Sequence, residues 1–196
     1  METQQIAPGL WRWTAPHPNW RNWPDWPDVP EEVGCVYYEA PDTVVLIDAL
    51  IPAGKEEEFL AHLDRDVERL GLPVAILLTA EWHRRSTGEL AERYGAEINP
   101  SPLPQGIEEI AIRGAPERQV AYFIRPHGAL VVAEIFAGDG KGGLKLCPSP
   151  ALTSREELDA SLAAIMKLPV ERLLVSHGEP VLSDGRRRME EALALS

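Results

Sequence analysis

The order of segments in this chain predicts an α/β protein of four layers, with two mixed β-sheets packed face to face and helices on both outer faces. Two observations carry that expectation. Strand-like and helix-like segments follow one another in two halves of similar grammar: strands, helix, strand, helix and strand, then strands, helix, strand and helix. Several strands are short unbroken apolar runs, the pattern of strands covered on both faces. A single doubly wound sheet would show more regular alternation and a glycine-rich first turn, and no dinucleotide or P-loop glycine pattern occurs.

Taken in order, Gly9–Ala15 and Val33–Glu39 have the apolar spacing of strands. The segment between them holds too many prolines for regular structure and predicts a long loop carrying Trp20, Trp23 and Trp26. Pro41-Asp42-Thr43 is a turn, so Gly34–Glu39 and Thr43–Asp48 form a hairpin. Gly54–Leu70 is a helix with Phe59, Leu60, Leu63, Val67 and Leu70 on one face, stopped by Gly71. Pro73–Thr79 is a buried parallel strand, Thr87–Tyr94 a second helix and Ala96–Asn99 a short strand. Ile107–Ile112, Gln119–Ile124 and Ala129–Ile135 are strands, the last two joined through Pro126-His127-Gly128. Thr153 and Ser154, followed by Glu156 and Glu157, form a doubled capping-box signal. The helix they open buries Leu158, Leu162, Ile165 and Met166. Arg172–Val175 is another buried strand and Asp184–Leu195 a final helix.

The 196 residues, 44% hydrophobic and 26% charged, suit one domain over 1–196, with 16–32 as a Trp- and Pro-rich loop. A formal net charge of −12 repels a phosphate backbone and disfavours nucleic acid as a partner. No apolar run is long enough to span a membrane, and the first residues have no signal-peptide pattern. Cys35 and Cys147 make neither a disulfide framework nor a zinc spacing, which points to a reducing cytoplasm. The Arg186-Arg187-Arg188 run is expected to be the solvated first turn of the last helix.

Four segments resemble the metallo-β-lactamase fold superfamily, the group that includes glyoxalase II and many metal-dependent hydrolases. Val44-Val45-Leu46-Ile47-Asp48 is similar to its strand ending in Asp. Ile76-Leu77-Leu78-Thr79 is similar to the strand that delivers its HxHxDH metal motif. Ala129–Glu134 resembles the strand ending in the metal-bridging Asp, and Leu173–Gly178 the strand ending in the last metal His. The resemblance implies the same four-layer αββα sandwich, with its site where these strands end.

The residues between these strands depart from the active pattern. After Thr79 the chain has Ala80-Glu81-Trp82-His83-Arg84-Arg85. Without a gap, the four ligand positions hold Ala80, Trp82, Arg84 and Arg85; shifted by one, they hold Glu81, His83, Arg85 and Ser86. The middle metal His falls at Ala115, the bridging Asp at Glu134 and the last His at His177. At most His83, Glu134 and His177 remain as metal ligands. Catalytic zinc wants three protein ligands and an open position, and arginine cannot ligate it.

These residues define the expected site: His83, Arg84, Arg85, Glu134 and His177, with Trp20 and Trp23 at its mouth. A carboxylate ending an apolar strand needs a donor, so Arg85 is expected to turn inward onto Glu134 with His177 nearby. Arg84, with His83, is expected to face the cleft and receive an anion. Asp48 is expected to brace the neighbouring loop, and Asp139 to be a turn residue. Two functions follow. The first is a pseudo-enzyme with no cofactor that binds a small molecule, such as an anion, or a protein partner in the ancestral cleft. The second is a divergent metal-dependent hydrolase with one zinc ion on His83, Glu134 and His177. A homodimer fits either function.

Overall fold

The computed structural model describes residues 2–19, 30–115, 117–146 and 153–194. Its larger sheet has six strands in simple sequence order: β1 (Glu2–Ala7), β2 (Leu10–Pro16), β3 (Glu32–Glu39), β4 (Val44–Ile47), β5 (Val74–Leu77) and β6 (Glu97–Ile98). The first four pair antiparallel, and β4, β5 and β6 run parallel. The smaller sheet has the order β12-β9-β8-β7, from β7 (Ile107–Ile112), β8 (Gln119–Ile124), β9 (Ala129–Val132) and β12 (Arg172–Val175). In it β12 and β9 are parallel and the other pairs antiparallel. Both sheets are mixed. A separate hairpin joins β10 (Phe136–Gly138) to β11 (Leu144–Leu146). The helices are α1 (Glu56–Leu70), α2 (Thr87–Tyr94), α3 (Arg155–Ile165) and α4 (Gly185–Ala194).

The period-2 alternation of the strands divides the apolar side chains among three cores. Along β4, Val45 and Ile47 face the space between the sheets, while Val44 and Leu46 face outward. Phe59 and Leu63 of α1 and Leu90 of α2 cover that outer face. Along β8, Val120, Tyr122 and Ile124 point between the sheets, and Ala121 and Phe123 point outward. There they meet Leu158, Leu162 and Ile165 of α3 and Met189 and Ala192 of α4. Every side chain of β4, β5, β8 and β9 is buried, as unbroken apolar runs require. The layer order is therefore helix, sheet, sheet, helix, as the segment order predicts.

Local signals set the helix ends. Gly71 closes α1 at φ +63°, and its N–H donates to the Val67 carbonyl. The Ser154 side chain caps α3 by accepting the Glu157 N–H at 3.2 Å, which realises half of the predicted capping box. Three strands fall outside the expected set. β1, with the sequence ETQQIA, is a polar edge strand with no apolar face to betray it. β10 and β11 are only three residues each. The strand expected to reach Ile135 ends at Val132, which leaves Glu134 on a bend just beyond the sheet.

Candidate functional site

Four strands of the two sheets end at one place. Asp48 follows β4 with φ +51°, a left-handed conformation that turns its carboxylate toward the end of β5. There Oδ1 accepts the Thr79 N–H at 2.9 Å, and Oδ2 accepts the Thr79 hydroxyl. The chain then makes a 3-10 turn over Glu81–Arg84 that carries His83 inward, leaving its side chain 4% exposed. Nδ1 of His83 donates to Asp48 Oδ2 at 2.9 Å and lies 3.0 Å from the Thr79 hydroxyl. Nε2 of His83 donates to Glu134 Oε1 at 3.2 Å. Nε2 of His177, just beyond β12, stands 3.5 Å from the same oxygen, and Nδ1 of His177 faces the Pro30 carbonyl at 3.3 Å. The result is a chain of groups, Asp48–His83–Glu134–His177, crossing from one sheet to the other.

The electrostatics follow from this order. Burial alone would push His83 down, but the carboxylates of Asp48 and Glu134 outweigh it and hold His83 above its ordinary pKa. Burial would likewise raise both acids. Asp48 is nevertheless lowered by His83, with Arg85 and Thr79 assisting, and Glu134 is lowered far by its bonds from His177 and His83. His83 thus has a carboxylate oxygen facing each ring nitrogen, the arrangement that favours its protonated form.

Arg85 is not where the sequence reading puts it. It takes φ +33° and ψ −113° at the end of the 3-10 turn, and this rotates its side chain away from Glu134 toward the seam between the sheets. Nη1 donates to the Asp48 carbonyl at 2.7 Å and the Gly34 carbonyl at 3.1 Å, and Nη2 donates to the Ser176 hydroxyl at 2.9 Å. Glu134 faces the two histidines instead, at 3.2 Å from His83 and 3.5 Å from His177. Arg84 does not join His83 either: its side chain is 63% exposed and pairs with Glu81 at 2.8 Å. His83 itself is enclosed between carboxylates rather than open to a cleft. Trp20 and Trp23 lie outside the described residues. The structure thus brings His83, Glu134 and His177 together, with Asp48 behind them.

Two participants have no motif to announce them. His17, at the start of the Pro-rich segment, lies within electrostatic reach of Arg85, His177, His83 and Glu134; burial and the cations lower its pKa. Its Nδ1 accepts the Asn19 N–H at 3.1 Å, so its own proton sits on Nε2. A histidine flanked by prolines is the one local signal. Arg12 of β2 is buried, and its Nη2 donates to the Gly178 carbonyl at 2.8 Å. Gly34 is crowded by Arg12 of the neighbouring strand and by β12 across the seam: a Cβ on Gly34 would stand 2.6 Å from the Val175 carbonyl and 2.7 Å from the Arg12 guanidinium. The Gly34 N–H also donates to the Ser176 carbonyl at 2.6 Å. A shallow recess lined by Thr79, Asn99, Arg118 and Tyr122 shares only Thr79 with this cluster. Asp139 is a turn residue, accepting the Lys141 and Gly143 N–H groups.

A four-layer αββα sandwich with its polar cluster where the strands of both sheets end is a class of architecture with solved examples. It is the metallo-β-lactamase fold. A metallo-beta-lactamase from Erythrobacter litoralis matches with a TM-score of 0.66 at 16% identity, covering 98% of this chain and 90% of that one. A metallo-beta-lactamase family protein from Thermus thermophilus gives 0.57 at 17% identity, with 97% and 80% covered. A metallo-beta-lactamase from Pontibacter korlensis gives 0.56 at 13% identity, with 100% and 99% covered. No family model matches the sequence, and no curated protein matches it.

The metal centre that this fold implies does not fit the donors present. In the gapless register the positions hold Ala80, Trp82, Arg84 and Arg85, none of them a ligand, and Ala115 stands for the middle His. A ligating imidazole must offer a bare nitrogen. Both nitrogens of His83 are committed to carboxylates. Among the described residues no group of three or more His, Cys, Asp or Glu side chains is arranged to hold a metal ion.

Proposed function

We propose that this chain is a pseudo-enzyme of the metallo-β-lactamase fold, binding a small molecule at the strand-end site without a resident metal. The observation that carries the reading is His83, whose ring lies between Asp48 and Glu134 at the seam of the sheets. A protonated ring supplies one fixed positive charge there, and it provides no water of lowered pKa to attack a substrate. Glu134 and His177 stay within reach of a ligand, with side chains 19% and 10% exposed. The residues flanking the Trp-rich segment support a role for that segment. His17 couples to the cluster on one side, and the Pro30 carbonyl meets His177 on the other. Trp20 and Trp23 are accordingly proposed as ligand contacts. Among the described residues no helix is long and apolar enough to cross a membrane. The low cysteine count supports a cytoplasmic location, and a homodimer is compatible with the same reading.

A divergent hydrolase with one zinc ion on His83, Glu134 and His177 has one observation in its favour: both Nε2 atoms face one oxygen of Glu134. Elemental analysis of protein purified without chelator separates the two readings. Far less than one equivalent of transition metal per chain is expected, together with no hydrolysis of thioesters, lactams or phosphodiesters above buffer. One tightly held equivalent, lost in His83→Gln and in His177→Gln, would establish the hydrolase reading in its place.

A further inference from the structure

Resting on the reading of this site as a ligand-binding one, we propose that it selects a small molecule bearing a positively charged nitrogen, an ammonium or amidinium group, which docks on Oε2 of Glu134. Most polar atoms of the site are already engaged. Asp48 is filled by Thr79 and His83. His83 has an oxygen on each ring nitrogen. Arg85, the cation best placed to receive an anion, has both Nη atoms engaged by two carbonyls and the Ser176 hydroxyl, and its Nε is buried away from solvent. Arg84 points to solvent with Glu81. An anion entering the site therefore finds no uncommitted cation among the described arginines at the strand ends, and it meets the carboxylate of Glu134.

That carboxylate is the exception. Its Oε1 faces both imidazoles, which fix its orientation. Its Oε2 takes no hydrogen bond from any described residue, and the side chain keeps 19% of its surface exposed. An oriented, ionised carboxylate with one open oxygen is an acceptor for charge-assisted N–H donors. His17 lies within electrostatic reach of Glu134, and with Nδ1 engaged by Asn19 its Nε2–H is left as a donor on the same side of the molecule.

Calorimetric titration with n-butylammonium chloride, sodium butyrate and inorganic phosphate at equal ionic strength tests this, because the first two share a tail and differ in the sign of the head. Butylammonium is expected to saturate one site per chain, with affinity falling at least tenfold in Glu134→Gln. The same affinity is expected in Glu190→Gln, which removes an exposed charge from α4 and controls for the general acidity of the surface. Should Glu134→Gln not fold, the nitrogen resonances of the His177 ring in the unaltered protein provide the readout, and they are expected to move on titration with butylammonium. Saturation by butyrate or phosphate and not by butylammonium would overturn the ligand class while leaving the binding reading intact. No saturable binding by any probe would overturn both.

Discussion

Arg85 fastens the seam of the molecule with a single side chain. It ties the Gly34 carbonyl on β3, the Asp48 carbonyl after β4 and the Ser176 hydroxyl after β12. Hydrogen bonds to a charged group contribute about 1.5–3 kcal/mol each, and the acceptors left behind lose their partners. Arg85→Ala is therefore expected to lower the unfolding free energy in urea by about 3 kcal/mol. Arg187→Ala, on the exposed turn of α4, should change it by no more than about 1 kcal/mol. The double change Arg85→Met with Glu134→Leu separates this arrangement from a direct ion pair. A direct pair would show rescue. Here the second change strands His83 and deepens the loss. His83, Glu134 and His177 were legible because the strand-end positions and the one-residue shift could be set against a known pattern. The direction of Arg85 was not, because it follows from a positive φ at the end of a 3-10 turn. Arginine carries no local signal for that conformation. His17 was invisible for a different reason: it is far from the other members in sequence, and only the pairing of β2 with β3 brings it near.

At the scale of elements, the two sheets are joined where the site lies. Val33 bridges to His177, and Ala80 to Gln119, outside the regular ladders. Gly34 sits at the closest approach, and its missing side chain lets β3 meet the end of β12. Gly34→Ala places a Cβ 2.6 Å from a backbone carbonyl that cannot swing aside. Overpacking of this kind costs about 1–3 kcal/mol, and thermal unfolding of the variant should show a loss in that range. Gly54→Ala makes a useful contrast, since nothing lies within 4 Å of its added Cβ, though its φ of +75° carries a backbone penalty of its own. The helices and buried strands were legible because each obeys a period, 3.6 or 2, against a continuous core. β1 was not, since an edge strand that begins with exposed polar residues satisfies no apolar template.

Across the whole molecule, the linked groups of the site predict how stability depends on pH. Asp48 and Glu134 have lowered pKa values in the fold, so their contribution is present above the ordinary carboxylate value, about 4, and is lost as pH falls through the folded values. His83 is raised, so its contribution is full below about 6.5, its ordinary value, and is lost as pH rises through the folded value. His17 is lowered and acts in the opposite sense, favouring the fold as pH rises past its folded value. The contributions of His83 and the two acids overlap between the ordinary carboxylate and histidine values. Urea unfolding across the pH range should show His83→Gln losing the alkaline decline of the unaltered protein and weakening the acid one, since His83 is what lowers Asp48 and helps lower Glu134. An unchanged alkaline limb in that variant would count against a charged His83.

The neck beneath the Trp-rich segment has an evolutionary consequence. Pro16 pairs with Glu32 in the sheet, and the His17 N–H donates to the Glu31 carbonyl at 3.0 Å. The segment therefore leaves and re-enters through a ladder that is already closed. The entropy of closing a flexible connection grows only logarithmically, so doubling its length adds about 0.6 kcal/mol. A change in the length of the connection between these two strands therefore adds little closure cost of its own. A lineage can lengthen or shorten that stretch without reopening the ladder that fixes its two ends.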